Sequence, residues 1–172
     1  MLLTAVHSDN LDQKNKLDKL FKQLAKINNS KTAEQLEKKI WVIWNQHPNN
    51  LKLTDRLELG TELMHYGNYD YALEVFNNII YTDPKWSEAW NKRATLFFLM
   101  KDYKSSLKDI DKVLGLEVRH FGALSGQARI YIKLKEYEKA ILSLKKALEF
   151  YPSFRSGELI PEIEKIIKEQ II

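Results

Sequence analysis

The stretch WNKRA at residues 90–94 sets a tryptophan, an amide and two cations side by side. A guanidinium such as Arg93 can hold a carboxylate through two parallel hydrogen bonds. An amide such as Asn91 can hold a peptide backbone, and an indole such as Trp90 can stack on a ligand or fill a core. None of these is a nucleophile or a ready proton carrier at neutral pH, so catalysis would need partners elsewhere in the chain. No such set exists. His7, His47, His65 and His120 stand alone, with no spacing that gathers three metal ligands on one helix face, and each reads as a surface or loop residue. Asp109 and Asp111 lie two apart on a helical stretch and point in different directions, which defeats them as an acid–base pair. The absence of cysteine removes disulfides, thiolate nucleophiles and Cys-bound zinc. No glycine-rich phosphate loop, nucleophile elbow or dinucleotide fingerprint occurs. The expectation is a protein without catalytic residues, metal or cofactor.

These polar groups must then belong to a scaffold. A chain of 172 residues, 44% hydrophobic and 29% charged, is long enough for one domain with a real core and too short for two comfortable ones. The net charge of +4 is too small an excess to imply nucleic acid by itself. The longest apolar fragments, such as IWVIW at 40–44, fall far short of the roughly 20 residues that span a bilayer. Leu2 to Val6 form a short apolar stub without the basic start and full apolar core of a secretory signal. As written, the chain is expected in the cytoplasm; a leader preceding Met1 would make it an exported protein.

Sliding the chain against itself exposes a period of 34 residues, the step from Tyr69 to Tyr103 to Tyr137. Ala72, Ser106 and Ala140 keep the same step, as do Phe76, Ile110 and Leu144, and upstream Gly60, Ala94 and Ala128. Pro84 and Pro152 close the first and third copies, where the second has Val118. Within 87–100, Ala89, Trp90, Phe97 and Met100 keep helical spacing, and the short links at 67–68, 101–102 and 135–136 join each first helix to an antiparallel mate. YGNYDYALEVFNNIIYTDP at 66–84 and LKEYEKAILSLKKALEFYP at 134–152 resemble the second half of the tetratricopeptide repeat, and Trp90 and Ala94 match its first half. WNKRAT and RHFGALSG (119–126) are similar to a small group of bacterial three-repeat proteins. The resemblance implies an all-α, right-handed α-solenoid of three hairpins over 51–154, at about 53–86, 87–120 and 121–154.

The remaining segments read as caps. Residues 155–172 place Leu159, Ile163, Ile166, Ile167 and Ile171 on one helical face, with Pro161 in the first turn. Residues 1–50 hold two amphipathic helices, one on Leu17, Leu20, Phe21 and Leu24 from about Asp9 to Ile27, the other on Leu36, Ile40, Ile43 and Trp44. Thr32 and Gln35 have capping-box spacing, and NQHPNN at 45–50 reads as a hinge. This front hairpin lacks the repeat's signature residues and is expected to be a divergent cap.

The period also predicts contacts. Sixteen positions on from Leu59, Arg93 and Gln127 lie Val75, Asp109 and Ser143, so polarity matches in each hairpin and Arg93 is expected to pair with Asp109, with Asp111 as the alternative. Trp90 is expected in the core. The inner face of the first helices is expected to carry Leu57, Thr61 and Met64, then Asn91, Thr95 and Phe98, then Ser125, Arg129 and Ile132. Apolar anchors, hydrogen-bonding groups and one cation suit a peptide or protein segment. The clamp by which some relatives hold chaperone tails is not expected, because its positions hold Leu57, Thr61, Lys92, Gly122 and Gly126. Single-stranded RNA is the alternative ligand, but it lacks a continuous basic groove: the first repeat is acidic, and Lys14, Lys16, Lys19, Lys22 and Lys26 spread around their helix.

Overall fold

Each helix of the chain is set by an apolar stripe that a neighbour must cover. The computed structural model describes the backbone of residues 2–27 and 29–170 and the side chains of 11–27 and 29–169, so Leu2 to Val6 and Ile171 lie outside the described side chains. Among the described residues the chain is helical throughout, without strands. A front hairpin, α1 (Leu2–Leu24) and α2 (Ser30–Asn45), precedes α3 (Leu51–His65) with α4 (Tyr69–Thr82), α5 (Ser87–Leu99) with α6 (Tyr103–Leu116), and α7 (Phe121–Lys133) with α8 (Tyr137–Phe150). One turn of 3-10 helix at Arg155–Glu158 leads into α9 (Leu159–Gln170).

Within each repeat hairpin the turn places one residue in the left-handed region: Gly67 at φ 79, Lys101 at φ 64 and Lys135 at φ 61. Only the first of these is glycine, so the other two carry a small strain that the hairpin contacts hold in place. The helices come close where the small residues recur. A Cβ on Gly60 would sit 2.6 Å from the Phe76 ring. Ala72, Ala94, Ala128 and Ala140 are all essentially buried. The second helix of one repeat packs on the first helix of the next, generating a right-handed α-solenoid. At its rear, Leu159, Ile163 and Ile167 of α9 cover Ala128, Ala140 and Leu144, while Ile166 turns out toward solvent.

The front hairpin does not continue this stack, which corrects its reading as a cap ahead of the first repeat. It packs across the N-terminal ends of α5 and α7: Phe21, Leu24, Ile40 and Trp44 share one core with Phe121, Leu124, Ala147 and Tyr151. The indole N–H of Trp86 donates to the Trp44 carbonyl at 3.0 Å, and the Tyr151 hydroxyl donates to Glu37 at 3.1 Å. Arg119 ties α1 down through Asp18 at 2.7 Å, its guanidinium lying over Phe21. The first repeat also differs from the others in the column that makes the stacking contacts. α5 meets the first repeat through Ala89 and Leu96, and α7 meets the second through Ala123 and Ile130. In α3 those positions hold Asp55 and Glu62, both exposed, and a hairpin stacked there would desolvate two unpaired carboxylates.

Two local expectations are also corrected. Asn29, not Thr32, caps α2, its side chain accepting the Thr32 backbone N–H at 3.1 Å. The segment at 45–50 is pinned rather than a free hinge: His47 is buried at its side chain, with Nε2 2.9 Å from Asp83 and its backbone N–H donating to Thr54 at 2.9 Å.

Candidate functional site

The inner faces of α5 and α7, together with α2 and the α8–α9 link, enclose a cavity of about 370 Å³. Of the residues expected on the inner face, Asn91, Thr95, Phe98, Ser125 and Arg129 line it. Glu37 and Trp41 of α2 and Phe154 and Ser156 of the link complete the wall. Thr95 and Arg129 are exposed, and Arg129 has no ion-pair partner among the described residues. Ser125 is hydrogen-bonded to Ser156 at 3.0 Å, and the Thr95 hydroxyl is turned back on the Asn91 carbonyl at 2.9 Å.

The structure does not bring the whole expected set together. Leu57 is 2% exposed and belongs to the core between α3 and α5, so it offers no anchor. Thr61 bonds to the Leu57 carbonyl, Met64 packs on the same core, and Ile132 packs on the rear core under α9. Leu57, Asn91 and Ser125 share one column of the repeat and all three are buried, but the cavity lies beside α5 and α7, so the first repeat's members stay outside it. Trp90 is half-buried, bridging the cores of the first and second repeats, with its N–H on the Pro84 carbonyl at 3.0 Å.

Beneath the cavity lies a polar knot. Glu88 and His120 are both fully buried, with His120 Nε2 3.0 Å from Glu88. His120 Nδ1 accepts the backbone N–H of Ala123 at 3.1 Å, capping α7, so its proton sits on Nε2 and is donated to the carboxylate. Lys92 approaches Glu88 at 3.3 Å, and the Asn91 amide donates to it at 3.1 Å. Burial, the largest single influence, pushes the Glu88 carboxyl up; the His120 hydrogen bond, then Lys92 and Asn91, outweigh it and hold the group below its ordinary value. Trp44 stacks flat on His120, ring centres 4.0 Å apart, and the Trp41 ring lies where a Cβ on Gly122 would be, 2.5 Å away. His120 therefore stands in the loop before α7, as expected, but is fully buried there rather than on the surface. A lone carboxylate at Glu88, where the other repeats have Thr54 and Gly122, was the available signal.

Arg93 grips Asp109 with two hydrogen bonds, Nε to Oδ2 at 2.7 Å and Nη2 to Oδ1 at 2.8 Å. It also donates to Asn77 at 2.7 Å and lies over the Trp90 ring. Asp111 is exposed, and Ser143 donates to Gln127 at 2.8 Å in the following hairpin. Among the described residues no group of three His, Asp or Glu side chains is placed to hold a metal ion, and no helix is long and apolar enough to cross a membrane.

Stacked antiparallel hairpins with small residues at the helix crossings define a helical-repeat solenoid. The chain belongs to the tetratricopeptide repeat (TPR) family. It is 31% identical over 145 residues to a TPR repeat-containing protein of Rhizobium etli, spanning 84% of this chain and 71% of that protein. Residues 65–147 match the family model described as anaphase-promoting complex, cyclosome, subunit 3. DnaJ homolog subfamily C member 3 of Mus musculus is 31% identical over 60% of this chain, which spans about a fifth, 21%, of that protein. Among solved structures, the first TPR of Spaghetti bound to an HSP90 peptide superposes with a TM-score of 0.64 at 21% identity, covering 70% of this chain and 96% of that one. A tetratricopeptide repeat protein from Parabacteroides merdae superposes with a TM-score of 0.63 at 21% identity, covering 91% of this chain and 61% of that one.

Proposed function

We propose that the protein is a non-catalytic TPR scaffold that holds a segment of another protein in the cavity between α2 and the inner faces of α5 and α7. The observation that carries this reading is the cavity itself: Phe98 and Phe154 offer apolar contact, and Arg129 is an exposed cation suited to a carboxylate on the segment. At about 370 Å³ it takes a few side chains of an extended segment rather than a whole helix. The HSP90-peptide complex of the structural neighbour supports protein binding by this fold, but not the same ligand. Here Lys92 is engaged by Glu88 and Gly122 lies under Trp41.

Asn91 is a poor residue with which to test the cavity, because its amide braces Glu88. Thr95 and Arg129 are exposed and free of such duty. Thr95→Glu with Arg129→Glu is expected to weaken capture of a native partner by roughly tenfold or more, with an unchanged melting temperature. Partners retained equally by both proteins in a pull-down from native cell extract would refute the assignment. Tight, salt-sensitive binding of single-stranded RNA would replace it with the nucleic-acid reading.

A further inference from the structure

The hairpin that leaves the front of the solenoid open also carries a groove on its outer side, lying between α1 and α2 and measuring about 530 Å³. Leu20, Val42 and Ile43 form its floor, and Val42 is 56% exposed. Lys16 and Lys19 rim one side and Lys38 and Lys39 the other. Lys16 pairs with Asp12, while the other three have no ion-pair partner among the described residues. An apolar floor between two rows of ammonium groups selects a helix whose exposed face alternates leucine with carboxylate.

The chain itself carries such a face. Along α3, Leu51, Asp55, Glu58, Leu59 and Glu62 fall at i, i+4, i+7, i+8 and i+11, which is one stripe of a helix. All five are exposed, Leu51 by 74% and Leu59 by 48%, and the three carboxylates have no ion-pair partner among the described residues. This is the stripe that the front hairpin leaves uncovered. We infer that the lysine-rimmed groove of α1–α2 receives the α3 face of a second copy of the chain, so that copies associate head to tail. The leucines meet Leu20, Val42 and Ile43, and the carboxylates meet the lysine rows. Groove and stripe are different surfaces, so each copy keeps one of them free and the contact extends into open chains unless its rotation closes a ring. The contact is separate from the cavity and does not depend on what the cavity binds.

Charge exchange tests this with purified full-length protein. In sedimentation equilibrium at about 50 mM salt, wild type should show a weight-average mass rising with concentration to at least about twice the 20.2 kDa of one copy. That mass should fall toward one copy at about 500 mM salt. Lys38→Glu with Lys39→Glu, and separately Glu58→Lys with Glu62→Lys, should each weaken association by roughly tenfold or more. All four positions are exposed, so circular dichroism should be unchanged. An equimolar mixture of the two variants should associate again, because each reversed groove then meets an opposite stripe. Wild type that stays at one copy overturns the inference, including wild type that instead sediments with phosphatidylglycerol vesicles. So does association that ignores the reversals or that fails to return on mixing.

Discussion

α3 and α7 occupy the same place in the first and third hairpins, yet one is left open at its exposed face and the other is buried under a foreign hairpin. At the start of α7 stand His120, Phe121 and Gly122, where α3 has Lys52, Leu53 and Thr54. The histidine gives a flat, buried surface for Trp44, and the glycine gives space for Trp41. α3 offers carboxylates in the column that makes stacking contacts elsewhere. A degenerate repeat thus specifies where a non-repeated segment docks through a handful of positions, leaving the hairpin geometry untouched. If this is correct, the largest loss should come from the docking residue. Trp44 is 4% exposed. Trp44→Ala should cost about 3–5 kcal/mol, measured by urea denaturation, and should open the 46–50 linker to limited proteolysis. Leu51→Ala on the exposed face of α3 should stay within about 0.5 kcal/mol of wild type.

A second comparison lies between the first and second hairpins, which carry Leu59 with Val75 and Arg93 with Asp109 at matching positions. Asp109 is 3% exposed at its side chain and Arg93 18%, so removing one partner strands a charge in a nearly dry site. Arg93→Ala should cost about 3 kcal/mol. Arg93→Met should cost less because it keeps the packing, although it too leaves Asp109 unpaired. Joined with Asp109→Val, Arg93→Met should recover much of the loss; a double variant no better than the worse single one would show that the two are not coupled.

These two sites also show what can be read without coordinates. Tyr69, Tyr103 and Tyr137 announce the hairpins because each repeat meets the same packing problem, and a contact within one repeat recurs at a fixed offset. The Glu88–His120–Trp44 knot occurs once. It joins two repeats to a segment outside the period, so no second copy exposes it, and four scattered histidines look alike in a string. The docking of α2 was hidden for the same reason: amphipathicity at Leu36, Ile40 and Trp44 says that a partner exists without saying which. On the inner face, spacing selects Leu57 as readily as Asn91 because the two share one column of the repeat, and the docking of α2 that puts the cavity beside α5 and α7 lies outside the period.

The knot predicts an acid response. Glu88 is held below its ordinary value of 4.5, so it contributes stability at neutral pH. That contribution is lost as pH falls below about 4.5 through the depressed value. Glu88→Gln keeps the shape and should cost about 1–2 kcal/mol at neutral pH. Its denaturation midpoint should then fall less steeply than that of wild type between neutral pH and about pH 3. Parallel curves would remove Glu88 from the acid response.

The smallest expected effect decides why the hairpin sits where it does. Repulsion from Asp55 and Glu62 and attraction to His120 and Phe121 both favour the observed position. The attraction rests on a buried aromatic cluster that includes Phe21, Trp44, Phe121 and Tyr151, worth several kcal/mol, whereas two solvated carboxylates contribute only the cost of a contact that is never made. Attraction should therefore dominate. Asp55→Ala with Glu62→Leu rebuilds on α3 the Ala and Leu column that α5 uses, yet stability should stay within about 0.5 kcal/mol of wild type. Amide exchange along α2 should stay as slow, and the Trp44 environment, read by near-ultraviolet circular dichroism, should be unchanged. A shift in either would mean that the carboxylates of α3 hold the hairpin off, and that the docking at α7 is its second choice.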